Sequence, residues 1–295
     1  MKTTKKQYVQ VVSGKNTEGQ PVFSVLVKRS YKITHQKKAY RLNETQPMTQ
    51  VNEYYKPNDP RYSTIKFESD LIPFKLKTDV VFIGNAYTPS NIPRNRLNVG
   101  IKVGSNKKVI QVIGNRHCIF RKGLSPLITE PEPFTIMPIR YENAYGGIDQ
   151  LSIPDLYFAY PRNNMGKGFA IRNKESIING LALPNLEDPN DLLNNERIII
   201  NDPIKWSDQP LPQGLGWFQP NWYPRAFFAG ALPSFVNINK PLHEELIGLV
   251  PKNHIQLARQ LKLPSYDLAF HTGASHGLSF PYLKGNEHIS LAHLF

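Results

Sequence analysis

The sequence predicts a mainly β protein in which antiparallel sheets pack as a sandwich, with long ordered loops and a few short helices in the C-terminal half. Apolar and polar residues alternate with period two at several places in the first 140 residues, which is typical of half-buried strands. The 25 prolines are scattered along the chain, and they divide it into short elements because proline fixes φ and lacks an amide donor. No helix-length pattern separates the strands, so antiparallel pairing is favoured over parallel βαβ units.

A β-hairpin is predicted between residues 96 and 113. Residues 96–103 alternate strictly, a turn at residues 104–106 follows, and an apolar run extends from Val109 to Ile113. The turn contains Gly104 and Asn106, which tolerate the positive φ that tight hairpin turns require. The apolar side chains of the first strand, which should face a core, are Leu97, Val99, Ile101 and Val103.

Further strands are predicted around this hairpin. Residues 21–34 would form a strand with one apolar face, broken only by Arg29. The apolar residues of that face are Phe23, Val25, Val27, Tyr31 and Ile33. Shorter strands are predicted at residues 63–69, 78–83 and 134–139.

The character of the sequence changes at about residue 141. Segments rich in Gly, Pro, Asn and aromatic residues at 144–147, 163–168 and 210–224 predict loops laid over a sheet. Residues 252–261, bounded by two prolines, predict a helix, and a second short helix is predicted at 243–249. We interpret residues 1–295 as a single domain with a strand-rich half, 1–140, and a loop-rich half, 141–295.

The composition excludes several classes of protein. Hydrophobic residues at 40% and aromatic residues at 11% supply enough apolar material for a core, which argues against wholesale disorder. Cys118 is the single cysteine, so the chain forms no internal disulfide. The N-terminus lacks the apolar core of a signal peptide, and no apolar stretch reaches the ~20 residues that span a bilayer. We therefore expect a soluble, cytoplasmic protein.

The charge is strongly positive and unevenly distributed. The formal net charge is +13, and residues 1–42 contain ten basic residues against the single acid Glu18. Such a region suits the phosphates of nucleic acid or an acidic protein partner, or it consists of solvated lysines that protect strand edges from aggregation. No zinc-finger spacing, Arg-rich helix or RNA-recognition signature accompanies the charge. Nucleic-acid binding is therefore kept only as an alternative.

Residues 273–277, with Ser275 at their centre, fit the G-x-S-x-G pattern of a serine hydrolase. That motif needs a preceding strand, a following helix, and an acid and a histidine further along the chain. Downstream of Ser275 the sequence offers Glu287, His288 and His293, which lie too close in sequence to complete a hydrolase sheet. A hydrolase is the second alternative function.

Other chemical motifs are weaker. His117 and Cys118 are strand neighbours that should point to opposite faces, so they do not predict a nucleophile with its base. The histidines at 271, 276, 288 and 293 match no standard zinc spacing. The glycine loops at 146–147 and 163–168 lack the phosphate-binding pattern and are interpreted as turns.

Four carboxylates sit beside apolar residues in the sequence: Asp70, Asp79, Glu142 and Glu187. An acid/base pair would require two of these carboxylates to lie close together in the folded protein. Their spacing in the sequence does not show whether any two do. We favour partly buried ion pairs that hold loops to the sheets, with Lys75, Arg116, Arg140 and Arg225 as the available cations.

Residues 206–228 combine aromatic side chains with arginine, the composition of protein-binding hot spots. The residues that we predict to contact a partner are Trp206, Trp217, Phe218, Trp222, Tyr223 and Arg225. The alternative is that most of these aromatic side chains form the core of the second half of the chain.

Several motifs together resemble a bacterial family catalogued as domain of unknown function 2169. They occur in the family's order along nearly the whole chain: residues 69–75, 78–80, 84–89, 114–116, 133–138, 141–147, 163–169, 183–187, 214–216, 222–225 and 282–287. The family-motif residues, which we interpret as structural, are Asp70, Phe74, Lys75, Asp79, Arg116, Glu142, Gly146, Gly147, Gly166, Gly168 and Glu187.

The resemblance implies a role in type VI secretion. Members of the family look like non-enzymatic adaptors or chaperones that bind an effector with a PAAR-like tip domain and help to place it on the VgrG spike. The resemblance implies no cofactor, metal, small-molecule substrate or membrane partner. This chain departs from the pattern at Asn164, Lys167 and Asn286, and at residues 271–277, which bears on the choice of cargo.

Overall fold

The computed structural model describes residues 8–15, 20–34, 39–72, 75, 77–153, 156–223, 225, 273–280 and 282–294. Within them the chain is mainly β, with antiparallel sheets and few helices, as the sequence predicts. The helices predicted at 243–249 and 252–261 lie outside the described residues. No helix in the described part of the chain is both long and apolar enough to cross a lipid bilayer.

The strands are short. Those of the described residues are β1 (Val9–Lys15), β2 (Pro21–Val27), β3 (Tyr31–Lys32), β4 (Tyr40–Arg41), β5 (Glu53–Tyr54), β6 (Ile65–Phe67), β7 (Thr78–Asp79), β8 (Asn85–Tyr87), β9 (Arg96–Val103), β10 (Asn106–Ile113), β11 (Cys118–Ile119), β12 (Leu127–Ile128), β13 (Ile136–Pro138), β14 (Tyr145–Gly146), β15 (Ile148–Ile153), β16 (Leu156–Ala159), β17 (Lys167–Gly168), β18 (Leu186–Glu187), β19 (Ser279–Phe280) and β20 (Ile289–Ala292).

Helical structure in these residues is limited to segments of three to six residues. They comprise the α-helix α1 (Glu175–Ile178) and 3₁₀ segments at Pro60–Tyr62, Pro89–Asn91, Tyr141–Asn143 and Pro203–Asp208. Three of the 3₁₀ segments begin with proline, whose fixed φ suits the first position of a helical turn. The scattered prolines thus divide the chain as the sequence predicts.

The central sheet has four antiparallel strands in the order β18–β10–β9–β20. Strands β9 and β10 form the predicted hairpin, with eight facing residue pairs. Gly104 lies in the turn with a φ of +59°, which glycine adopts without steric cost. The other edge of β9 is occupied by β20, in which Ile289 faces Val103. Residues 289–292 therefore complete this sheet.

The predicted apolar face of β9 packs on a core. Val99, Ile101 and Val103 are at most 4% exposed, and Ile110 and Val112 of β10 are fully buried. This first core cluster also takes in residues from other strands and from loops, namely Ala86, Met137, Ile139, Tyr141, Ala144, Leu186, Leu215, Trp222, Ala274, Leu278, Phe280 and Leu294. Loops of the C-terminal half of the chain therefore pack on the central sheet.

Aromatic side chains of the loop-rich half form much of the core. The ring of Tyr141 packs edge-to-face on Trp222, with centroids 5.0 Å apart, and on Phe218 at 5.8 Å. A second core cluster surrounds Tyr160 and Trp206, whose rings are 6.3 Å apart. Edge-to-face pairs of this kind stabilise beyond their buried area. The segments predicted as loops therefore carry core residues.

Some predicted strands are shorter in the structure. The segment predicted at 78–83 contributes only β7, which pairs with β19. After Asp79 the backbone bonds to loops instead: the amide of Val80 donates to the carbonyl of Leu278 at 2.9 Å, and that of Phe82 to Leu215 at 2.8 Å. The segments at 63–69 and 134–139 likewise contribute three residues each, in β6 and β13.

The two glycine loops lie against each other. They contribute a short parallel pair, β14 with β17, an exception to the antiparallel pattern. Gly146 has a φ of +145°, and a Cβ at this position would overlap the carbonyl oxygen of Asn163. Gly147 and Gly166 belong to the same close contact between backbones, whereas a Cβ on Gly168, whose φ is +92°, would meet the ring of Pro184 at 3.0 Å. Residues 141–168 therefore depend on glycine for steric reasons.

The N-terminal strands β1 and β2 form a separate hairpin with seven facing pairs. The strand predicted at 21–34 ends at Val27, and β3 pairs with β4 instead. Side chains along β2 are alternately exposed and half-buried. The alternation predicted from the sequence is present, but its apolar side is exposed.

Candidate interaction surface

Ser275 joins two loops and the core. Its Oγ donates a hydrogen bond to the carbonyl of Gly216 at 2.8 Å and lies 2.7 Å from the hydroxyl of Tyr141. Ser275 and Tyr141 are each 1% exposed. Burial raises the pKa of the Tyr141 hydroxyl, which therefore stays protonated and cannot act as a base at neutral pH. A turn and then β19 follow Ser275, in place of the helix that a nucleophile elbow requires.

We expect Ser275→Ala to lower the free energy of unfolding by about 1–2 kcal/mol, because the buried Tyr141 hydroxyl and Gly216 carbonyl each lose a partner. Urea unfolding measures this change. Ser290→Ala, on the exposed strand β20, is the control and should stay within about 0.5 kcal/mol of the wild type. Turnover of an ester or amide probe that disappears in Ser275→Ala would contradict a structural role.

The thiol and the histidines are separated in the structure. Cys118 is fully buried, whereas its neighbour His117 is exposed on the opposite face, as predicted. Burial raises the pKa of the Cys118 thiol to about 12, so the thiol is neutral. The side chains of His276, His288 and His293 are exposed, and His271 lies outside the described residues. No group of three metal-ligating side chains occurs among the described residues.

Asp79 connects residues that are far apart in the sequence. Its carboxylate lies 2.5 Å from Lys75 Nζ and accepts hydrogen bonds from the amide of Gly273 and the hydroxyl of Ser279, both at 2.9 Å. The family-motif residue Phe74 lies outside the described residues. Asp79 therefore holds residues 273–279 against β7.

The other family-motif carboxylates make similar connections. Glu142 accepts hydrogen bonds from the amide and hydroxyl of Thr64. Glu187 forms a buried ion pair with Arg116 and accepts the amide of Leu193 at 2.8 Å. The expected ion-pair role thus describes Asp70, which pairs with Lys28, as well as Asp79 and Glu187, but not Glu142. Arg140 instead lies over the ring of Tyr55, and Arg225 pairs with Glu68 at 2.7 Å.

The residues predicted to bind a partner are largely inside the protein. Trp206, Trp222, Tyr223 and Arg225 are at most 9% exposed, while Trp217 and Phe218 are half-buried. The ring of Phe218 packs edge-to-face on Tyr141 and Trp222. This placement agrees with the alternative that most of these aromatic side chains are core residues. Partner binding by this segment stays a prediction, and Trp217 and Phe218 retain the most exposed surface for it.

Exposed apolar side chains share one side of the hairpin formed by β1 and β2. The register places Val9 opposite Val27, Val11 opposite Val25, and Ser13 opposite Phe23, so these side chains share one side of the hairpin. We define the hairpin face as its five apolar residues, whose exposed fractions are Val9 51%, Val11 60%, Phe23 80%, Val25 66% and Val27 54%.

The opposite side of the hairpin is fixed to the body of the protein. Its side chains, among them Val12 and Leu26, are half-buried. Directly after β2, Lys28 Nζ lies 2.7 Å from Asp70, and the same carboxylate accepts the amide of Thr49 at 2.7 Å. The family-motif residue Asp70 therefore anchors the hairpin. The hairpin face is presented outward on an anchored strand pair.

Exposed apolar surface of this extent is unusual away from binding sites. Fully burying a Val or Phe side chain contributes about 1.5–3 kcal/mol. Covering the exposed half of five such side chains would contribute on the order of 5 kcal/mol before the cost of association is subtracted. The hairpin face is therefore the candidate interaction surface.

Sequence reasoning found part of this surface. The alternation at residues 21–27 identified Phe23, Val25 and Val27, but Val9 and Val11 were not assigned to the same face. The available signal was a second alternating segment at residues 9–12, one short connection away from the first. Which side of the hairpin packs on the body could not be predicted, because the bonds that hold it come from Thr49, Gln50 and Asp70, which are far from β1 and β2 in the sequence.

The chain matches one family model. That model, described as uncharacterized protein conserved in bacteria (DUF2169), covers residues 18–295. No curated protein and no solved structure matches the chain. The match includes β2 and every family-motif residue discussed above, and it extends through β20. This chain therefore belongs to the bacterial family domain of unknown function 2169.

Proposed function

We propose that this chain is a non-enzymatic adaptor of the bacterial type VI secretion system, which acts in the cytoplasm, binds a PAAR-like effector and helps to load it onto the VgrG spike. The observation that carries the proposal is the hairpin face, an exposed apolar surface on an anchored strand pair. A binding surface of this kind needs no bound cofactor and no reacting side chain.

The physical demands of the role support the proposal. A PAAR-like domain is a small cone that normally sits on a spike, so its apolar base is exposed when the domain is free. A protein that protects this base must cover apolar surface reversibly, which favours an interface of moderate area on a rigid support. The central sheet, together with the segments that Asp79, Glu142 and Glu187 hold to one another, is such a support.

The proposal is tested by co-expression with the PAAR-like effector encoded beside this gene, followed by size-exclusion chromatography. We expect the two proteins to elute together, and the effector to be less soluble when it is expressed alone. Addition of the VgrG spike should then transfer the effector to the spike. If the effector is equally soluble alone and never elutes with this chain, the adaptor role is wrong.

A further inference from the structure

Three basic side chains that follow β2 in the sequence have no ion-pair partner among the described residues. Lys28 is paired with Asp70, but Arg29, Lys32 and Arg41 have no carboxylate within ion-pair distance among the described residues. Arg29 lies over the ring of Tyr8, the residue that precedes β1, and donates to the carbonyl of Lys28 at 2.8 Å. Residues 1–42 as a whole contain ten basic side chains and one acid. Arg29, an exposed residue two positions after Val27, therefore places a positive charge at the end of the apolar face, and Lys32 and Arg41 add positive charge in the chain that follows.

The apolar residues of the face identify the class of partner. Four of the five are valines on a pleated strand pair, and the fifth, Phe23, is the most exposed of them. Branched aliphatic side chains at this spacing pack on another pleated apolar surface. A nucleic-acid backbone offers no such surface, and single-strand binders use stacked aromatic rings instead. The same features argue against a lipid bilayer, where the amide groups of an open strand pair would lack partners.

We propose that the hairpin face is the docking site for the effector and that it takes an apolar β surface rimmed by acidic side chains. The identity of the bound partner, a PAAR-like effector, is taken from the proposed function, and the inference rests on it. Contact with the valines and Phe23 holds the complex together, while Arg29, Lys32 and Arg41 attract the acidic rim and speed up association.

The test compares two sets of variants in the full chain, with the effector encoded beside this gene as the binding partner. Val11→Thr, Phe23→Thr and Val25→Thr are combined, because threonine keeps a branched Cβ and hence the strand while removing apolar surface. The control combines Ile136→Thr, Leu151→Thr and Ile289→Thr, which are 50%, 62% and 56% exposed on other strands. Far-UV CD and urea unfolding verify that both variants are folded.

We expect the hairpin variant to raise the Kd at least about 30-fold, mainly through faster dissociation, and the control variant to change it less than about 3-fold. Lys32→Glu combined with Arg41→Glu should slow association roughly 10-fold at low salt, with little effect at 0.5 M salt. Lys107→Glu combined with Lys122→Glu, which changes the net charge equally at exposed positions elsewhere, is the matched control. Amide exchange of residues 21–27 should slow in the wild-type complex.

The outcomes separate the two proposals. A wild-type complex whose affinity is unchanged in the hairpin variant, with no protection of residues 21–27, overturns the docking site and leaves the adaptor role standing. Absence of any wild-type complex overturns both. Binding of the free chain to anionic phosphatidylserine vesicles or to duplex DNA that is lost in the hairpin variant, while that variant still binds the effector with unchanged affinity, would show that the face takes a membrane or a nucleic acid and would overturn the assigned occupant.

Discussion

Replacing Glu187 by alanine is expected to lower the free energy of unfolding by about 3–5 kcal/mol. The side chains of Glu187 and Arg116 are 2% and 3% exposed, so the substitution leaves a buried guanidinium without its counter-charge. Removal of the carboxylate also leaves the amide of Leu193 without its acceptor. Burial raises the pKa of the Glu187 carboxyl and lowers that of the Arg116 guanidinium, which shows how strongly this site penalises an isolated charge.

The measurement is urea unfolding of Glu187→Ala beside a matched ion pair at the surface. Arg197 pairs with Asp191, whose side chain is 49% exposed, and Asp191→Ala should change the free energy of unfolding by less than about 1 kcal/mol. The double variant Arg116→Met with Glu187→Leu should recover most of the loss, because it removes both buried charges. A loss below 1 kcal/mol in Glu187→Ala would mean that water reaches the site.

Replacing Lys108 by methionine is expected to stabilise the protein, and by more at pH 6 than at pH 10. Lys108 is 8% exposed at a core-facing position of β10, and its Nζ donates to the carbonyl of His276 at 2.5 Å. Desolvation lowers the pKa of this lysine to about 7, although the charge of Asp188 acts in the opposite direction.

The sign of the pH dependence follows from proton binding. Between pH 7 and about 10.4, the unfolded chain holds the Lys108 proton and the folded chain does not, so stability rises with pH across this window. Below pH 7 both states are charged, and the folded state bears the full cost of burying the ammonium. Methionine keeps the length of the side chain without the charge, so we expect a gain of roughly 2–4 kcal/mol at pH 6 that shrinks towards pH 10.

Urea unfolding of Lys108→Met and the wild type at pH 6, 8 and 10 measures this difference. Groups that titrate equally in both proteins cancel, so the pH dependence of the difference isolates Lys108. Lys107→Met, at the exposed neighbouring position on the same strand, should show no such dependence. Parallel pH profiles for Lys108→Met and the wild type would show that Nζ stays solvated.

Local patterns were predictable from the sequence, whereas long-range contacts were not. The hairpin of β9 and β10 followed from alternation and a Gly–Ser turn, because its partners are adjacent in the chain. Nothing local in residues 289–292 indicates that they pair with residues 100–103. The shortened strand at 78–83 has the same cause, since its amides bond to residues 215 and 278.

The candidate interaction surface was likewise predictable only in its local pattern. Alternation identified the apolar side of residues 21–27, but exposure depends on which side finds a partner, and the anchoring carboxylate of Asp70 is 42 residues from Lys28. Ser275 matched a catalytic pattern, yet its Oγ is held by groups 59 and 134 residues away. A short pattern does not specify such surroundings. The aromatic segment at 206–223 likewise has a composition that suits a core and an interface equally well.

The position of β20 in the central sheet has a consequence for synthesis of the protein. Strand β9 gains its second neighbour only after about 190 further residues have been added, which takes roughly 10–40 s at 5–20 residues per second. During this time the outer edge of β9 offers unpaired amides and carbonyls to any other nascent chain. Arg96 and Lys102, both exposed on that strand, would repel a second copy of the same edge. These two charges would therefore limit pairing between the edge of β9 and another nascent chain until β20 has been synthesised.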